Sequence, residues 1–556
     1  MRILFITSAH NSLSQRLLIE LSALGHAVSV ALATSVAAML GAVDRYGPEL
    51  IVAPMLKVAI PQAIWARHTC LIVHPGILGD RGPSSLDWAI ANAETNWGVT
   101  VVQAQAEMDA GPVWASHEFA LPNPPLPKSS LYRHQVTEAA VRGVLDAVAR
   151  FESRQFAPQP LDATAPDVRG RLRPSMRQSE RTIDWARDGT AQIVRKIRAA
   201  DSAPGVLDAS LGQPYFLYGA HEEARLKGMP GEILAQRDGA ICRGTVDGAV
   251  WISHLKPKHA DGSHGVKLPA VQVLGAQAKS IANCTLPIDA VVDHQTWREI
   301  RYEEQDDVGY LTFEFYNGAM STGQCHRLRQ AFAQARARPT RVIVLTGGAD
   351  FFSNGIDLNT IEAAACSAQE SWRNINAIND VVAEILHTGS HLIVAALRGN
   401  AGAGGAMLAL AADQVFARRG VVLNPHYKGM GNLHGSEYWT YTLPQRVGKD
   451  LAAQLTERLK PIGTREAASI GLIDGAFGDT VEEFERELGR RTRALANDPH
   501  FWRRLREKHE RRCAAERAKP LADYRAEELA RMRANFFGPD PAYHDARRRF
   551  VFKEAR

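Results

Sequence analysis

The chain has 556 residues, of which 45% are hydrophobic and 22% charged, so it is too long for one hydrophobic core and has the composition of a globular protein. A net charge of +5 without any recognisable reading module gives no reason to expect nucleic-acid binding, and no stretch reaches the ~18–20 uncharged apolar residues of a membrane span. The six cysteines lack C-x-x-C spacing, which argues against a structural zinc site or a disulfide framework and favours a cytoplasmic protein without a metal.

Residues 1–160 alternate buried-type strands with amphipathic helices. The strands are RILFIT, AVSVALA, ELIVAP and CLIVHPG, and the helices include SQRLLIELSALG and SLYRHQVTEAAVRGVLDAVARF. Such apolar runs, separated by helices, predict a parallel α/β sheet in a Rossmann-like domain. The first β–α turn, TSAHNSLSQ, has no G-x-G-x-x-G and therefore does not predict a dinucleotide site.

Three further domains follow along the chain. Residues 161–295 begin with a polar, proline-bearing linker and continue with short strands (YFLYG, GEILAQ, AICRGT, VWISHL), which predict a small OB-like β-barrel. A second α/β pattern occupies residues 296–485, with strands VGYLTFEF, RVIVLTG, HLIVAAL and DQVFAR. Residues 486–556 are a basic helical extension, read as amphipathic helices with solvated basic faces or, alternatively, as a basic rim for the phosphates of an anionic cofactor.

A histidine, an arginine and an aspartate follow one another in a recognisable order. His74 lies in LIVHPGILGDRGPSSLDWAI together with Arg81-Gly82, and Asp109 follows in NWGVTVVQAQAEMDAGPVW. This order resembles the N10-formyltetrahydrofolate-dependent formyltransferases, which have H-P-S near R-G-x-x-P and a later D-x-G. The resemblance implies that His74 handles the proton of the incoming nucleophile and that Asp109 orients it, since a histidine titrates near neutral pH.

One departure from that pattern bears on the acceptor. Formyltransferases acting on methionyl-tRNA have Asn two residues before the histidine, where this chain has Ile72. The hydrolase domain of 10-formyltetrahydrofolate dehydrogenase, which hands formyl to a phosphopantetheine thiol, is similar in having Ile there. The resemblance therefore favours a thiol acceptor, and it places Met55 and Lys57, along with Ile72, Arg81 and Gly82, at the folate pocket.

The second half contains two glycine-rich loops. FFSNGIDL at 351–358 and, further on, ALRGNAGAGGAMLALAADQVFA resemble the paired motifs of the crotonase (enoyl-CoA hydratase/isomerase) superfamily. In that family the loops aim two backbone N–H groups at a thioester oxygen, a role that falls here to Ile356 and Gly404. The same resemblance assigns coenzyme A (CoA) contacts to Asn354, Gly355, Gly405 and Arg446.

The catalytic acids of the hydratases are replaced. Met407 and Tyr427 occupy the positions where hydratases have glutamates, so hydration of enoyl-CoA is not expected. The loop PHYKGMGNLHGSEYW supplies titratable residues instead, and we expect Tyr427 and Glu437 to act as a proton relay, with His434 and Tyr438 nearby. Which member is acid and which is base stays open.

The order of the two halves resembles the HypX/HoxX family of NiFe-hydrogenase maturation proteins over essentially the whole chain. The resemblance implies formyl transfer from N10-formyltetrahydrofolate to CoA, followed by release of carbon monoxide for the hydrogenase iron, with other maturation proteins as possible partners. Two alternatives remain open. The chain could be a formyl-CoA hydrolase or a plain CoA formyltransferase whose second half only holds CoA, or it could be a scaffold that binds folate and CoA without catalysis.

Overall fold

The structure is a computed structural model and describes residues 1–162, 164–166 and 168–554. The first domain is a sheet of order β2-β1-β3-β4-β5-β6, in which β1 to β4 are parallel and β5 runs antiparallel to both of its neighbours, β4 and β6. Its elements are β1 (Arg2–Thr7), α1 (Ser12–Ala23), β2 (Ala27–Leu32), α2 (Val36–Tyr46), β3 (Leu50–Ala53), α3 (Gln62–Trp65), β4 (Cys70–His74), α4 (Ser85–Ala91), β5 (Asn96–Gln103), β6 (Val113–Ala120), α5 (Lys128–Leu131) and α6 (Thr137–Ser153). The predicted parallel strands are confirmed, and β4 ends at the side chain predicted to be catalytic.

The second domain is a six-stranded antiparallel sheet of order β7-β8-β11-β10-β9, with β12 beside β11. Its elements are α7 (Thr190–Ala199), β7 (Val206–Asp208), β8 (Tyr215–Glu223), β9 (Ile233–Arg237), β10 (Ala240–Gly244), β11 (Ala249–Pro257), β12 (Leu268–Pro269) and α8 (Ala270–Leu274). The four short strands predicted here are β8 to β11. A core on one face of the sheet includes α7, and a second core contains Trp251 and Trp297.

The third domain stacks two sheets. The larger has the order β13-β14-β16-β19-β21-β24, and the smaller, β17-β20-β22-β23, contains the starts of both glycine-rich loops. The elements are β13 (Ile300–Gln305), β14 (Val308–Phe313), β15 (Ala319–Met320), α9 (Thr322–Arg336), β16 (Val342–Gly347), β17 (Phe351–Ser353), β18 (Gly355–Ile356), α10 (Leu358–Glu362), α11 (Ser367–His387), β19 (Leu392–Leu397), β20 (Asn400–Gly402), α12 (Gly404–Leu410), β21 (Gln414–Arg418), β22 (Val422–Asn424), α13 (Trp439–Val447), α14 (Lys449–Arg458), β23 (Ile462–Gly463), α15 (Thr464–Ser469) and β24 (Gly475–Phe477). Strands β16 and β19 are buried along their whole length, which explains their unbroken apolar sequences.

The C-terminal helices pack into this third domain and are not solvated on all sides. They are α16 (Val481–Ala496), α17 (Phe501–Ala518), α18 (Leu521–Phe537) and α19 (Ala542–Phe552). Met532, Phe536 and Tyr543 are at most 1% exposed and belong to the main core of the crotonase-like domain. In the part of the chain that the structure describes, no helix is long and apolar enough to cross a membrane, and no cluster of three metal-ligating side chains occurs.

Candidate active sites

His74, the last residue of β4, lies between two carboxylates. Its Nδ1 is 3.4 Å from Asp109 Oδ2, as the motif order predicts, and its Nε2 is 3.0 Å from Asp80 Oδ2. The ring is 5% exposed, so both contacts lie in a largely water-excluded setting. His74 and Asp109 are therefore brought together, and the shorter contact of the ring is made by a residue that the motifs do not assign.

Asp80 is itself anchored from the linker that follows the first domain. Its Oδ1 accepts a hydrogen bond from Arg173 Nε at 3.1 Å, and Arg173 packs over the Trp97 ring at 5.2 Å. The Asp80 carboxylate is fully buried, with a cation at one oxygen and the imidazole at the other. A buried carboxylate requires such partners, because an unpaired buried charge is strongly unfavourable.

The residues predicted at the folate pocket are held mainly through backbone contacts. The carbonyl of Met55 accepts from the backbone of Ser8 at 2.8 Å, and the backbone N–H of Lys57 donates to the Ser8 hydroxyl at 2.9 Å. Arg81 pairs with Glu107 across the loops of the site. These contacts tie the segment after β3 to the first β–α turn.

The two glycine-rich loops of the crotonase-like domain meet at Gly355 and Gly404. A Cβ on Gly355 would lie 3.1 Å from the backbone nitrogen of Gly404. A Cβ on Gly404 would lie 2.2 Å from Oε1 of Glu437. The predicted oxyanion loops are thus in contact, and the Glu437 carboxylate lies directly against one of them.

Tyr427 and Glu437 form the expected pair. The tyrosine hydroxyl donates to Oε2 of Glu437 at 2.6 Å, and both residues are buried. Burial raises the pKa of Glu437 to about 7, although the hydrogen bond from Tyr427 lowers it. Burial also raises the pKa of Tyr427 well above its usual range. The pair thus provides a carboxyl that can gain or lose a proton near neutral pH, beside a hydroxyl that keeps its own.

The backbone at Glu437 is held in an uncommon conformation by polar contacts. Its φ is +62°, in the left-handed region that bulky residues rarely adopt. Asn379 Oδ1 accepts from the Glu437 backbone at 2.8 Å, and the Asn379 amide donates to Ser436 Oγ at 2.8 Å. Glu528 of α18 accepts from the Ser436 hydroxyl at 3.1 Å and from the backbone of Thr440 at 2.9 Å. The C-terminal helices therefore support the loop that contains the candidate acid.

Four cations from different domains influence one another where the first, second and C-terminal parts meet. We call Arg133, Lys256, Lys267 and Lys553 the junction cluster. Burial, together with smaller effects of the charges of the other three cations, lowers the pKa of Lys267 to about 7, against the opposing charge of Asp201. Lys267 Nζ lies 3.8 Å from the centroid of a tyrosine ring and 3.1 Å from another tyrosine hydroxyl.

Asp350 forms a polar link between the two halves. Asp350 precedes β17 and accepts from three side chains of the first domain: Ser130 Oγ at 2.7 Å, Arg133 Nη1 at 2.8 Å and His134 Nε2 at 3.0 Å. A second contact, between Asn424 Nδ2 and Gln15 Oε1 at 3.0 Å, joins the end of β22 to helix α1. The halves therefore share polar contacts at more than one place.

Comparisons with known proteins agree with this geometry. Models for the formyl transferase and for its C-terminal domain match residues 33–123 and 175–266, and the enoyl-CoA hydratase/isomerase model matches residues 303–532. The hydrogenase maturation factor HoxX of Bradyrhizobium diazoefficiens is 47% identical, covering 100% of this chain and 95% of the relative. The chain belongs to the HypX/HoxX family. The crystal structure of HypX from Aquifex aeolicus in complex with tetrahydrofolic acid superposes with a TM-score of 0.96 at 47% identity, covering 100% of this chain and 97% of that chain.

Family membership confirms the predicted halves, while the roles of single residues stay predictions. Ile72 lies on β4, two residues before His74, and Gly82 has a φ of +111°. Asn354 donates to the carbonyl of Asn317 at 2.8 Å. Gly405 packs so closely that a Cβ would lie 2.0 Å from the carbonyl of residue 353. Arg446 pairs with Asp474 at 3.0 Å, a structural contact that leaves its predicted part in CoA binding untested.

The structure of this HypX/HoxX chain adds residues to both sites that the motifs did not predict. Asp80, Arg173 and Glu528 were missed. Asp80 stands inside the motif region, and its acidic side chain was the available signal, whereas Glu528 is far along the chain and gives none. Met407 is fully buried. The His434 ring lies tilted against Trp439, at 5.4 Å between centroids, on the wall of a cavity of about 390 Å³ that also reaches Tyr427.

Proposed function

We propose that this protein transfers formyl from N10-formyltetrahydrofolate to CoA and then decarbonylates formyl-CoA, supplying carbon monoxide for NiFe-hydrogenase maturation. The observation that carries the proposal is the position of the Glu437 carboxylate, which lies against Gly404 and is bonded to Tyr427. A titratable acid is thereby aimed at the place where a thioester carbonyl would lie.

The first step joins the thiol to the formyl carbon and breaks the bond from that carbon to the folate nitrogen. One proton leaves sulfur and one arrives at nitrogen, so the step needs groups that accept and donate protons at the same site. His74 and its carboxylates supply both. The Aquifex relative crystallised with tetrahydrofolic acid supports a folate site in the corresponding half.

The junction cluster supports CoA as the acceptor. CoA has three phosphates, and Arg133, Lys267 and Lys553 bring cations from three parts of the chain to one place. The lowered pKa of Lys267 reflects a buried amine surrounded by other cations, and a bound phosphate would offset that repulsion. Gly355 and Gly404 present backbone without side chains, which is what close approach of a pantetheine arm to both loops requires.

The second step needs no water. The formyl C–H bond and the C–S bond break, and the proton moves from carbon to sulfur, leaving carbon monoxide and CoA. Glu437 would take the formyl proton and return it to the sulfur, while Tyr427 holds the carboxylate in place. The backbone N–H groups of Ile356 and Gly404 would bind the thioester oxygen. A carboxyl with a pKa of about 7 suits both halves of this transfer.

Formyl-labelled N10-formyltetrahydrofolate, incubated with the protein and CoA, tests both steps. We expect tetrahydrofolate, CoA and labelled carbon monoxide, trapped spectroscopically by deoxyhaemoglobin. In H74A or D109A, tetrahydrofolate release should fall by ~10²–10⁴. In E437Q it should persist while formyl-CoA accumulates.

Each alternative function predicts a different product. Labelled formate in place of carbon monoxide would identify a formyl-CoA hydrolase. If formyl-CoA were the end product in wild type, the protein would be a CoA formyltransferase without the second step. Absence of turnover from a protein that binds folate and CoA would leave a scaffold.

A further inference from the structure

The two oxygens of the Glu437 carboxyl have different surroundings. Oε2 accepts from the Tyr427 hydroxyl at 2.6 Å and from the backbone N–H of Ser436 at 3.1 Å. Oε1 accepts no hydrogen bond from the residues that the structure describes, and a Cβ on Gly404 would lie 2.2 Å from it. Because buried polar atoms are nearly always hydrogen-bonded, an unpaired oxygen in a side chain that is 1% exposed indicates a functional role.

The anchoring of Oε2 depends on an unusual backbone conformation. The Glu437 side chain folds back onto the N–H of the preceding residue, Ser436. The φ angles of Glu437 and Tyr438 are +62° and +58°, so two successive residues other than glycine are left-handed. Such a pair is unfavourable in isolation, and contacts from other elements must hold it in place.

Asn379 of helix α11 supplies contacts of this kind. It is fully buried, its Oδ1 accepts from the Glu437 N–H at 2.8 Å, and its Nδ2 donates to Ser436 Oγ at 2.8 Å. The two ends of one amide thus bind the two residues whose shared peptide bond sets the direction of the carboxyl. Glu528 contacts the loop on either side, at Ser436 Oγ and at the N–H of Tyr438, whereas Asn379 binds the backbone of Glu437 itself.

We propose that Asn379 is a positioning residue of the second site, which directs Oε1 of Glu437, and not Oε2, at the formyl hydrogen of the thioester. Oε1 takes that hydrogen as a proton, and the electron pair of the C–H bond stays on carbon. The C–S bond breaks with its electron pair on sulfur, which leaves carbon monoxide, and Oε1 gives the proton to that sulfur. These proton transfers rest on the proposed function, whereas the anchoring of Oε2 in the free protein does not.

Infrared difference spectroscopy of the substrate-free, full-length protein tests the anchoring. Spectra at pH 6 and pH 8 differ by the protonated form of Glu437, whose pKa is about 7, and its band is identified by its loss in E437Q. With two donors on Oε2, the proton belongs on Oε1, and the C=O stretch should lie below that of a carboxyl without hydrogen bonds. A wild-type band at the frequency of such a free carboxyl overturns the proposal.

Replacement of Asn379 tests the source of the anchoring. In N379L the band should move to higher frequency, because the Glu437 N–H loses its acceptor and the loop relaxes. N379D keeps an oxygen acceptor for that N–H and should retain the low band. An unchanged band in N379L overturns the proposal. If N379L does not fold, N379D decides, and a band at the free-carboxyl frequency in that variant also overturns it.

The loss of supplied formyl-CoA, measured as free thiol, tests the role of Oε1. In N379L kcat should fall about tenfold or more, since small misplacements of a reacting group are costly, while KM for formyl-CoA stays unchanged. The matched control is N376L. Asn376 lies on the same helix and donates to the carbonyl of Trp372 at 2.8 Å, so its replacement should leave kcat and the band at their wild-type values. An unchanged kcat in N379L contradicts the positioning role.

The product separates this inference from the proposed function. If wild type yields formate and N379L slows its formation, decarbonylation is wrong, but Asn379 still positions Oε1, with water as the source of the proton. If wild type yields carbon monoxide at a rate that N379L does not change, the proposed function stands and this inference fails. If wild type leaves formyl-CoA intact, Oε1 takes no proton and both fail.

Discussion

The carboxyl of Glu437 has two neighbours with opposite effects on its proton affinity. The hydrogen bond from Tyr427 lowers the pKa of Glu437, and the charge of Glu528 raises it, on top of the larger effect of burial. The resulting pKa of about 7 lies far from that of an ordinary glutamate. A base with this pKa is ionised above neutral pH and protonated below it.

The pH dependence of carbon monoxide release follows from that value. If Glu437 must be ionised to take the formyl proton, the rate from supplied formyl-CoA should rise between pH 6 and 8, with a midpoint at about 7. The measurement is carbon monoxide trapped by deoxyhaemoglobin across that range. A flat profile would exclude Glu437 as the base.

Replacing Tyr427 with Phe should slow release and shift this profile. The hydroxyl that Y427F removes lowers the pKa of Glu437 in wild type. In Y427F the rise in the rate of carbon monoxide release should therefore occur at higher pH, and formyl-CoA should accumulate. Y302F removes the hydroxyl of another buried tyrosine, on β13, and is the matched control. If wild type and Y427F release carbon monoxide at the same rate and with the same pH midpoint, the proposed relay is wrong.

At the scale of elements, helix α18 reaches the catalytic loop through Glu528. Because the charge of Glu528 raises the pKa of Glu437, E528Q should lower the pH midpoint at which the rate of carbon monoxide release rises. E527Q is the control: it removes the charge of the next residue, Glu527, which pairs with Lys519 at 2.6 Å on the exposed face, and it should leave that pH midpoint unchanged. An identical shift in both variants would assign the effect to general surface charge.

The elements differ in how much of them the sequence predicts. Strands such as β16 and β19 were predictable because they are apolar throughout. The resemblance to the two families placed His74, Asp109 and Tyr427, and Glu437 was chosen as a titratable residue of the loop that replaces the hydratase turn. The C-terminal helices were expected to be amphipathic with solvated basic faces, but the composition of α18 does not reveal which of its polar residues lie on the buried face. Glu528 contacts residues about 90 positions away, and no spacing rule connects side chains brought together only by tertiary packing.

At the scale of the whole molecule, Asp350 links the halves, and its ionisation is coupled to stability. Burial raises the pKa of Asp350, but hydrogen bonds from His134 and Ser130 and the charge of Arg133 outweigh it and lower the pKa to about 2. Since the folded pKa is below the unfolded one, the stabilisation is present above the unfolded pKa of 3.8 and is lost as pH falls through about 2.

Removing that charge should therefore destabilise the protein at pH 7. D350N should lower the free energy of unfolding by about 2 kcal/mol, measured by thermal or urea unfolding. Asp293 is 74% exposed and pairs with Arg225, so D293N should leave the unfolding midpoint unchanged. Equal midpoints for wild type and D350N would show that the link between the halves contributes little.

The junction cluster makes a second prediction at this scale. K267M should weaken CoA binding by about tenfold or more, since hydrogen bonds to charged groups contribute ~1.5–3 kcal/mol. Calorimetry with CoA measures this, and K227M, which replaces an exposed lysine of the same domain, is the control. Unchanged CoA affinity in K267M would remove the cluster from the proposed site.

The link at Asp350 also has a consequence for the evolution of the fused gene. Formyltransferases and enoyl-CoA hydratases occur as separate proteins, but here Arg133 binds Asp350 and covers the neighbouring Phe351 ring at 4.5 Å. If the gene were split, Asp350 would be exposed on one product, and the side chains that bind it would be exposed on the other. The two products would then have to evolve together at these positions, so we expect a natural split to be accompanied by replacement of Asp350 and of the basic residues that bind it.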